Sequence, residues 1–423
     1  MARKMKDSGI EWIGEIPEGW EVLAHKYIMH KEKSICEHYS GEDVISLTLN
    51  GVVKRDLENP FGKMPTTFDG YQFVDPNDLL LCLFDIDVTP RCVGLVKDYG
   101  VTSPAYSRFK IHSGFCNAYY NYLLRFIDDE KVFVHLSKNL RSSLTESDFG
   151  AIKTIVPPKA EQQRIADYLD NRTFEIDTLL SKARSSIEEY KKLKQAVITQ
   201  AVTKGVRGER EMKDSGVDWI GAIPKDWEIK RLKSFCTIVD CKNRTPDVFP
   251  DGKYTVVRTT CIKDCSFSYE GSYQTDTTNF KAWTLKGQPH KGDIFFTREA
   301  PVGEACLVPN ADNLCMGQRV MFFRPEDNSD ARYIMYSIYG PLVREYIASK
   351  NSGSTVGHLK LGQVACIPIF YCPPLEQKEI ADYLDAKCAE IDRLIAKKEQ
   401  LVKELEGYKK SLIYEVVTGK REV

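Results

Sequence analysis

Two stretches of this chain recur in order, and the distance between the copies limits what it can fold into. Residues 5–21, MKDSGIEWIGEIPEGWE, return as residues 212–228, MKDSGVDWIGAIPKDWE, with 12 of 17 positions identical at an offset of 207. Residues 161–170 (EQQRIADYLD) return as 376–385 (EQKEIADYLD), 8 of 10 identical at an offset of 215, and the Glu-Ile-Asp of 175–177 returns at 390–392. Solenoid repeats have periods of about 20–50 residues. A period above 200 fits a duplicated module instead, a domain followed by a helix. Between the matched ends, residues 30–150 and 237–365 share almost no identity. The frame is repeated and the contents have diverged, as in two modules of one architecture that read two different targets. A chain with two equivalent modules is suited to an object with two equivalent halves.

At 423 residues with 42% hydrophobic content, the chain can bury two or three cores. Its longest apolar run, LLLCLF at 79–84, is too short to span a membrane. The start, MARKMKDSG, lacks the apolar centre of a signal peptide, so a cytoplasmic location is expected. Thirteen cysteines, an odd number at irregular spacings, suggest buried thiols in a reducing compartment. Cys236/Cys241 and Cys261/Cys265 come nearest to ligand spacing, but there is no CxxC pair and no histidine at finger distance, so no metal is expected. Residues 5–156 hold 16 basic against 22 acidic side chains, and residues 212–370 hold 20 against 18. Bulk charge alone mildly disfavours a nucleic-acid partner. A DNA binder with this balance must place its cations locally or rely on partners to grip phosphates.

Pro157-Pro158 and Pro373-Pro374 end an extended segment, and proline is tolerated in a first helical turn. From there Ile176, Leu180, Ala183, Ile187, Tyr190, Lys194, Val197 and Ala201 follow 4-3 spacing. At the 215 offset stand Ile391, Ile395, Lys398, Val402, Leu405, Lys409, Leu412 and Val416. A seam of period 3.5 predicts a coiled coil, with the lysines as polar breaks that set register. Gly205 and Gly419 are the expected helix stops. About 45 residues of helix make a rod of roughly 65 Å. Two such rods, paired within one chain, would hold two globular blocks apart at a fixed distance.

The blocks read as α+β with mixed sheet. Residues 294–297, 305–308 and 320–323 are predicted strands, with a turn at 300–303. Residues 78–84 and 92–96 are their counterparts in the first block, while 117–127 and 331–350 are helical or mixed. The expected division is a first globular domain at 1–157, a helix at 158–207, a second domain at 208–372 and a helix at 373–423.

Catalytic motifs are missing. The chain has no GxxxxGK[ST], GxGxxG, HExxH or GxSxG, and no Asn/Asp-Pro-Pro-Tyr/Phe tetrapeptide of the amino-methyltransferases. Pro246-Asp247 with Asp251-Gly252-Lys253 echoes a nuclease PD…DxK pattern, but four residues apart in a Pro/Gly-rich turn. A free-standing metal-dependent nuclease using Asp247, Asp251 and Lys253 is therefore one alternative. A coiled-coil scaffold that binds no DNA is another.

The phrase SGIEWIGEIPEGWE, the segment PPKAEQQRIADYLDNRTFEIDTLL and their second copies resemble the specificity subunit of type I restriction–modification enzymes, over nearly the whole chain. The resemblance implies a DNA reader with no catalytic site, whose two target-recognition domains each read half of an asymmetric, interrupted duplex sequence. It implies an antiparallel coiled coil that acts as a ruler and docks two modification (methyltransferase) subunits, with two restriction (translocase/nuclease) subunits completing the complex. S-adenosylmethionine, ATP and Mg²⁺ would be bound by those partners and none by this chain.

Base reading needs donors and acceptors on loops that reach a groove. In the second block the candidates are Thr297, Arg298, Gln318, Arg319, Thr355 and His358; in the first they are Arg91, Ser103, Tyr106, Arg108 and Arg141.

Overall fold

The apolar runs at 79–81 and 294–296 each become the buried inner strand of a four-stranded antiparallel sheet, and the two sheets run in the same order. One is Met29–Lys31, Ser107–Ile111, Leu79–Leu81, Val93–Leu95; the other is Cys236–Val239, Val320–Pro325, Ile294–Arg298, Val302–Leu307. Both faces of the inner strand are covered, so its sequence is continuously apolar rather than alternating. Leu79 and Leu81 pack in a core with helix Asn117–Asp129, while Leu80 faces a smaller cluster with Ile45, Val74 and Val96. Ile294 and Phe296 likewise pack in a core with helix Ala331–Ile338, while Phe295 lies with Val257, Leu314 and Phe322.

The structure, a computed structural model, describes residues 3–49, 51–60, 64–89, 91–137, 142–351 and 357–423. The chain divides into two compact units, Met1–Ala183 with Gln400–Val423, and Arg184–Glu399. In each, a second sheet is built on a parallel pair, Val44–Thr48 beside Gly100–Thr102 and Tyr254–Val257 beside Leu314–Met316. The third strand differs: Gln72–Val74 joins Gly100–Thr102, whereas Tyr273–Thr275 joins Tyr254–Val257. A mixed sheet repeated in outline and altered in detail is what the divergent interiors led one to expect.

The repeated ends form a repeated frame. Strand Glu21–Ala24 pairs with Lys153–Val156, and Glu228–Arg231 pairs with Pro368–Tyr371. Each pair leads through its prolines into a long helix, Lys159–Lys204 or Pro374–Val417. Every residue of the predicted seam is buried or half-buried, with Phe174, Leu179 and Leu193 exposed beside it. In the first unit Lys409 Nζ bonds Asp177 at 2.6 Å; in the second Lys194 Nζ bonds Asp392 at 2.8 Å. These are one contact made twice, because both partners are related by the 215 offset. Pairing is antiparallel in each unit: Gly419 approaches Trp20, which bonds Glu161, and Gly205 approaches Glu376. Gly419 stands at φ +71°, where a Cβ would meet Pro17 at 2.6 Å and Trp20 at 2.8 Å, so only glycine ends that helix without strain.

Two local expectations change. The 331–350 segment breaks into Ala331–Ile338 and Pro341–Asn351, because Pro341 lacks the N–H needed to continue the first helix. The 300–303 turn is shorter than expected, since Val302 and Gly303 already belong to strand Val302–Leu307.

Candidate nucleic-acid interface

The start of each long helix is locked to the repeated Trp. In the first unit Glu161 accepts from Trp20 Nε1 at 3.0 Å and pairs with Arg3 at 2.6 Å, while Arg3 lies over the Trp20 ring at 5.5 Å. Burial acts to raise the Glu161 pKa, but hydrogen bonds from Arg3 and Trp20 outweigh it and hold the carboxyl below its ordinary range. The second unit keeps the Arg–Glu pair, with Arg210 on buried Glu376 at 2.5 Å and over the Trp227 ring at 5.3 Å, but Trp227 Nε1 makes no hydrogen bond among the described residues. The next residue is matched too. Gln162 accepts from the Cys116 N–H and donates to Pro157 O; Gln377 accepts from the Asp330 N–H and donates to Cys372 O. In its Arg–Glu pair and glutamine bridges the frame is thus held the same way twice.

The loops at one end of each main sheet are not. In the second unit this end gathers the segment after Cys236–Val239, the connection 299–301, residues 317–319 and the chain at 358–359. Arg298 is committed here: its guanidinium binds Asp240 at 3.0 and 3.1 Å and Asn243 at 2.8 Å. Further bonds fix the 240–247 backbone, from Trp283 Nε1 to Arg244 O, Tyr273 OH to Pro246 O and Thr275 Oγ1 to Asp247 O. Lys242 lies over the Trp283 ring at 4.8 Å. Arg319, at φ +76°, stands 3.0 Å from Glu299 without hydrogen-bond alignment, and His358 Nδ1 is 3.6 Å from the same carboxylate. Gln318 accepts from Thr245 Oγ1 at 3.3 Å.

The same end of the first unit differs in length and chemistry. Its hairpin connection is 82–92, far longer than 299–301, with Phe84 and Val88 exposed. Leu144 N–H bonds Leu83 O, as Leu359 N–H bonds Arg298 O, so the following segment returns to the same place in both. Arg91 pairs with Asp129 at 2.7 Å and is largely covered. Ser103 O accepts from Gln72 Nε2, and Tyr106 is half-buried, its hydroxyl pKa pushed up by burial.

Two of the expected readers are turned inward. Thr297 is fully buried, its hydroxyl donating to Pro301 O and accepting from the Glu304 N–H. Arg108 is 2% exposed, with Nε 2.5 Å from Asp78 and Nη2 2.6 Å from Asp75. Both lie on inner strands whose side chains face packed layers, so neither can reach a groove. Arg141 and Thr355 fall outside the described residues.

Sequence reasoning missed the frame residues Arg3, Arg210, Gln162 and Gln377. Arg3 and Arg210 share the 207 offset of the neighbouring repeat, and Gln162 and Gln377 lie within the repeated EQ pair, so the signal was present. The nuclease-like segment is a braced turn: a Cβ on Gly252 would meet Thr275 O at 2.2 Å, and Lys253 O accepts from Asn313. Among the described residues, no group of three or more His, Cys, Asp or Glu is placed to hold a metal ion. All 13 cysteines are free, and burial raises their thiols where a shift is resolved, Cys236 and Cys315 to about 12. No helix among the described residues is long and apolar enough to cross a membrane.

A family model described as the type I restriction modification DNA specificity domain matches residues 224–404. The putative type I restriction enzyme MjaX specificity subunit of Methanocaldococcus jannaschii is 26% identical over 305 residues, 71% of this chain and 67% of that protein. The MjaVIII specificity subunit of the same organism is 26% identical over 283 residues, 64% of this chain and 63% of that protein. Among solved structures, a chain from "Structural basis underlying complex assembly and conformational transition of the type I R-M system" shares the fold with a TM-score of 0.69, at 15% identity, over 96% of this chain and 99% of that one. The crystal structure of the HsdS subunit from Thermoanaerobacter tengcongensis aligns with a TM-score of 0.50, at 16% identity, over 96% and 98%. Residues 224–404 thus carry the similarity to the type I restriction modification DNA specificity domain, and the chain as a whole shares the fold of these solved structures.

Proposed function

We propose that this chain is the non-catalytic, sequence-specific DNA-reading subunit of a type I restriction–modification complex. Each unit reads one half of an interrupted duplex target, residues 1–157 and 208–372 carrying the recognition surfaces. The observation that carries this reading is a frame held in both units by the same Arg–Glu pair and Gln contacts, beneath loop ends that differ in length. Drift alone would not spare one and rebuild the other.

The helical segments 158–207 and 373–423 set the distance between half-sites and dock two modification subunits, and two restriction subunits complete the assembly in the cytoplasm. S-adenosylmethionine, ATP and Mg²⁺ are bound by those partners. With the weak net charge of this chain, phosphate grip is shared with them.

The test is exchange. Replacing residues 5–156 by the equivalent block of a relative, then sequencing methylated DNA from the assembled methyltransferase, is expected to change one half-site and leave the other. If both half-sites change together, the units are not independent readers. A gel shift separates the rivals: a scaffold binds no specific DNA with or without modification subunits, and a nuclease cuts with Mg²⁺ alone.

A further inference from the structure

We infer that Arg244 is the guanine-reading side chain of the second unit, and that Arg298 is a positioning residue that holds the Arg244 loop in shape. This rests on the DNA-reading function proposed above. Both arginines lie at the variable end of the main sheet, but their situations are opposite.

Arg298 has no free fork. Its three bonds to Asp240 and Asn243 use both terminal nitrogens, and its side chain is only 11% exposed. To reach a base it would have to leave Asp240, itself largely covered, without its cation. Arg244 is exposed, and its guanidinium makes no hydrogen bond or ion pair with any described residue. Yet its backbone is among the best-held in the loop, because Trp283 Nε1 donates to its own carbonyl and Tyr273 OH to the carbonyl two residues on. A fixed backbone that carries an uncommitted side chain is a pre-organised contact, since little ordering entropy remains to be lost on binding.

The neighbours fix the ligand chemistry. Asn243 Oδ1 accepts from Arg298, and Gln318 Oε1 accepts from Thr245, so the free groups of both exposed amides are their NH₂ donors. The Arg244 fork and two amide donors face outward, and the acceptor oxygens are occupied. The major-groove edge that offers adjacent acceptors is guanine, with O6 and N7, which an arginine fork meets with two hydrogen bonds.

The experiment uses the assembled methyltransferase and a duplex library randomised across the target. The half-site left unchanged by the 5–156 exchange is the one scored. Arg244→Ala is expected to lose about tenfold discrimination at a single G·C position of that half-site, leaving its other positions and the opposite half-site as in wild type. Arg244→Lys does not restore it, because a point charge lacks the fork. Arg298→Lys weakens discrimination at the same position, and the double variant is no worse than Arg244→Ala alone, since one acts through the other. The opposite half-site reports that the complex is folded and assembled. Unchanged discrimination in Arg244→Ala overturns the inference, as does an equal loss on all sequences with a salt slope reduced by about one, which marks a phosphate contact. Additive losses at separate positions for the two arginines overturn the positioning role. A wild-type complex with no preference in the library removes the proposed function itself.

Discussion

Arg108 offers the sharpest test of how a buried cation differs from a base reader. Register places Arg108 opposite Leu80 on the inner strand, and the matching pair in the second unit is Phe322 opposite Phe295. An arginine therefore occupies a core position, and it is tolerated because Asp78, 3% exposed, and Asp75 meet it at 2.5 and 2.6 Å. The second unit serves the equivalent aspartate, Asp293, from two residues further along: Arg324 binds it at 2.7 and 3.0 Å with its side chain 42% exposed. Arg108→Ala strands a buried carboxylate and is expected to cost about 3–5 kcal/mol. At about 2–4 °C per kcal/mol for a unit of this size, the melting midpoint falls by roughly 6–20 °C. Arg324→Ala, half-open to solvent, is expected to cost about 1 kcal/mol or less. Burial already pushes the Asp78 carboxyl up, with Arg108 opposing it. Without Arg108 only the Asp75 N–H and Lys110 oppose that push and the carboxyl rises further, so the penalty is absent below the unfolded-state pKa and grows as pH rises through the folded one. The loss should shrink toward pH 4. Arg108→Phe with Lys110→Arg imports the second unit's arrangement, because Lys110 stands in register with Arg324, and should recover most of the stability. The assay is thermal unfolding across pH, with methylation of a target library alongside. A stable Arg108→Ala protein that loses cognate recognition would refute the reasoning and make Arg108 the reader that its sequence position suggested.

Three further outcomes follow from the same frame. His25 is fully buried against Phe149, and burial lowers its pKa to about 4, while the equivalent residue at the 207 offset is Leu232. The folded protein then binds this proton more weakly than the unfolded chain, so stability is lost as pH falls from 6.5 toward 4, by about 3 kcal/mol in all; His25→Leu should flatten that part of the pH–stability curve, and an unchanged curve would exclude His25. Asp392→Lys places a like charge against Lys194 and should destabilise the second unit, with Lys194→Asp restoring it; a pair whose aspartate is half-open to solvent contributes roughly 0.2–1 kcal/mol, and a reversal double variant no better than the single one would remove its register role. Four residues inserted after Ala183 and four after Lys398, its equivalent at the 215 offset, add about 6 Å of helix and should lengthen the unread spacer by one or two base pairs with both half-sites unchanged. An active insertion variant with the original spacer would show that the helices do not set the distance.

What the chain determines locally could be read from it directly. Repeated WIG…IP…W and EQ…IADYLD phrases, a 4-3 seam across both helices and glycine at 205 and 419 depend on neighbours a few residues away, so spacing alone declares two frames and two helices. The inner strands were visible too, because strands covered on both faces must be apolar throughout. What spacing could not decide is which way a polar side chain turns. Arg108, Thr297 and Arg298 carry groups suited to DNA and lie at or beside strand ends, yet each is used up by partners 4 to 58 positions away: Arg108 by Asp78, Thr297 by Pro301, Arg298 by Asp240. Arg244 had no motif to mark it and became prominent only when Trp283 and Tyr273, brought in by the second sheet and its helix, were seen to brace its loop. Whether a charge is a reader or a brace depends on the opposite charges that folding delivers to it, and desolvation makes that choice costly to reverse. Periodicity along the chain holds no record of those long-range encounters; they exist only once the sheets have closed over one another.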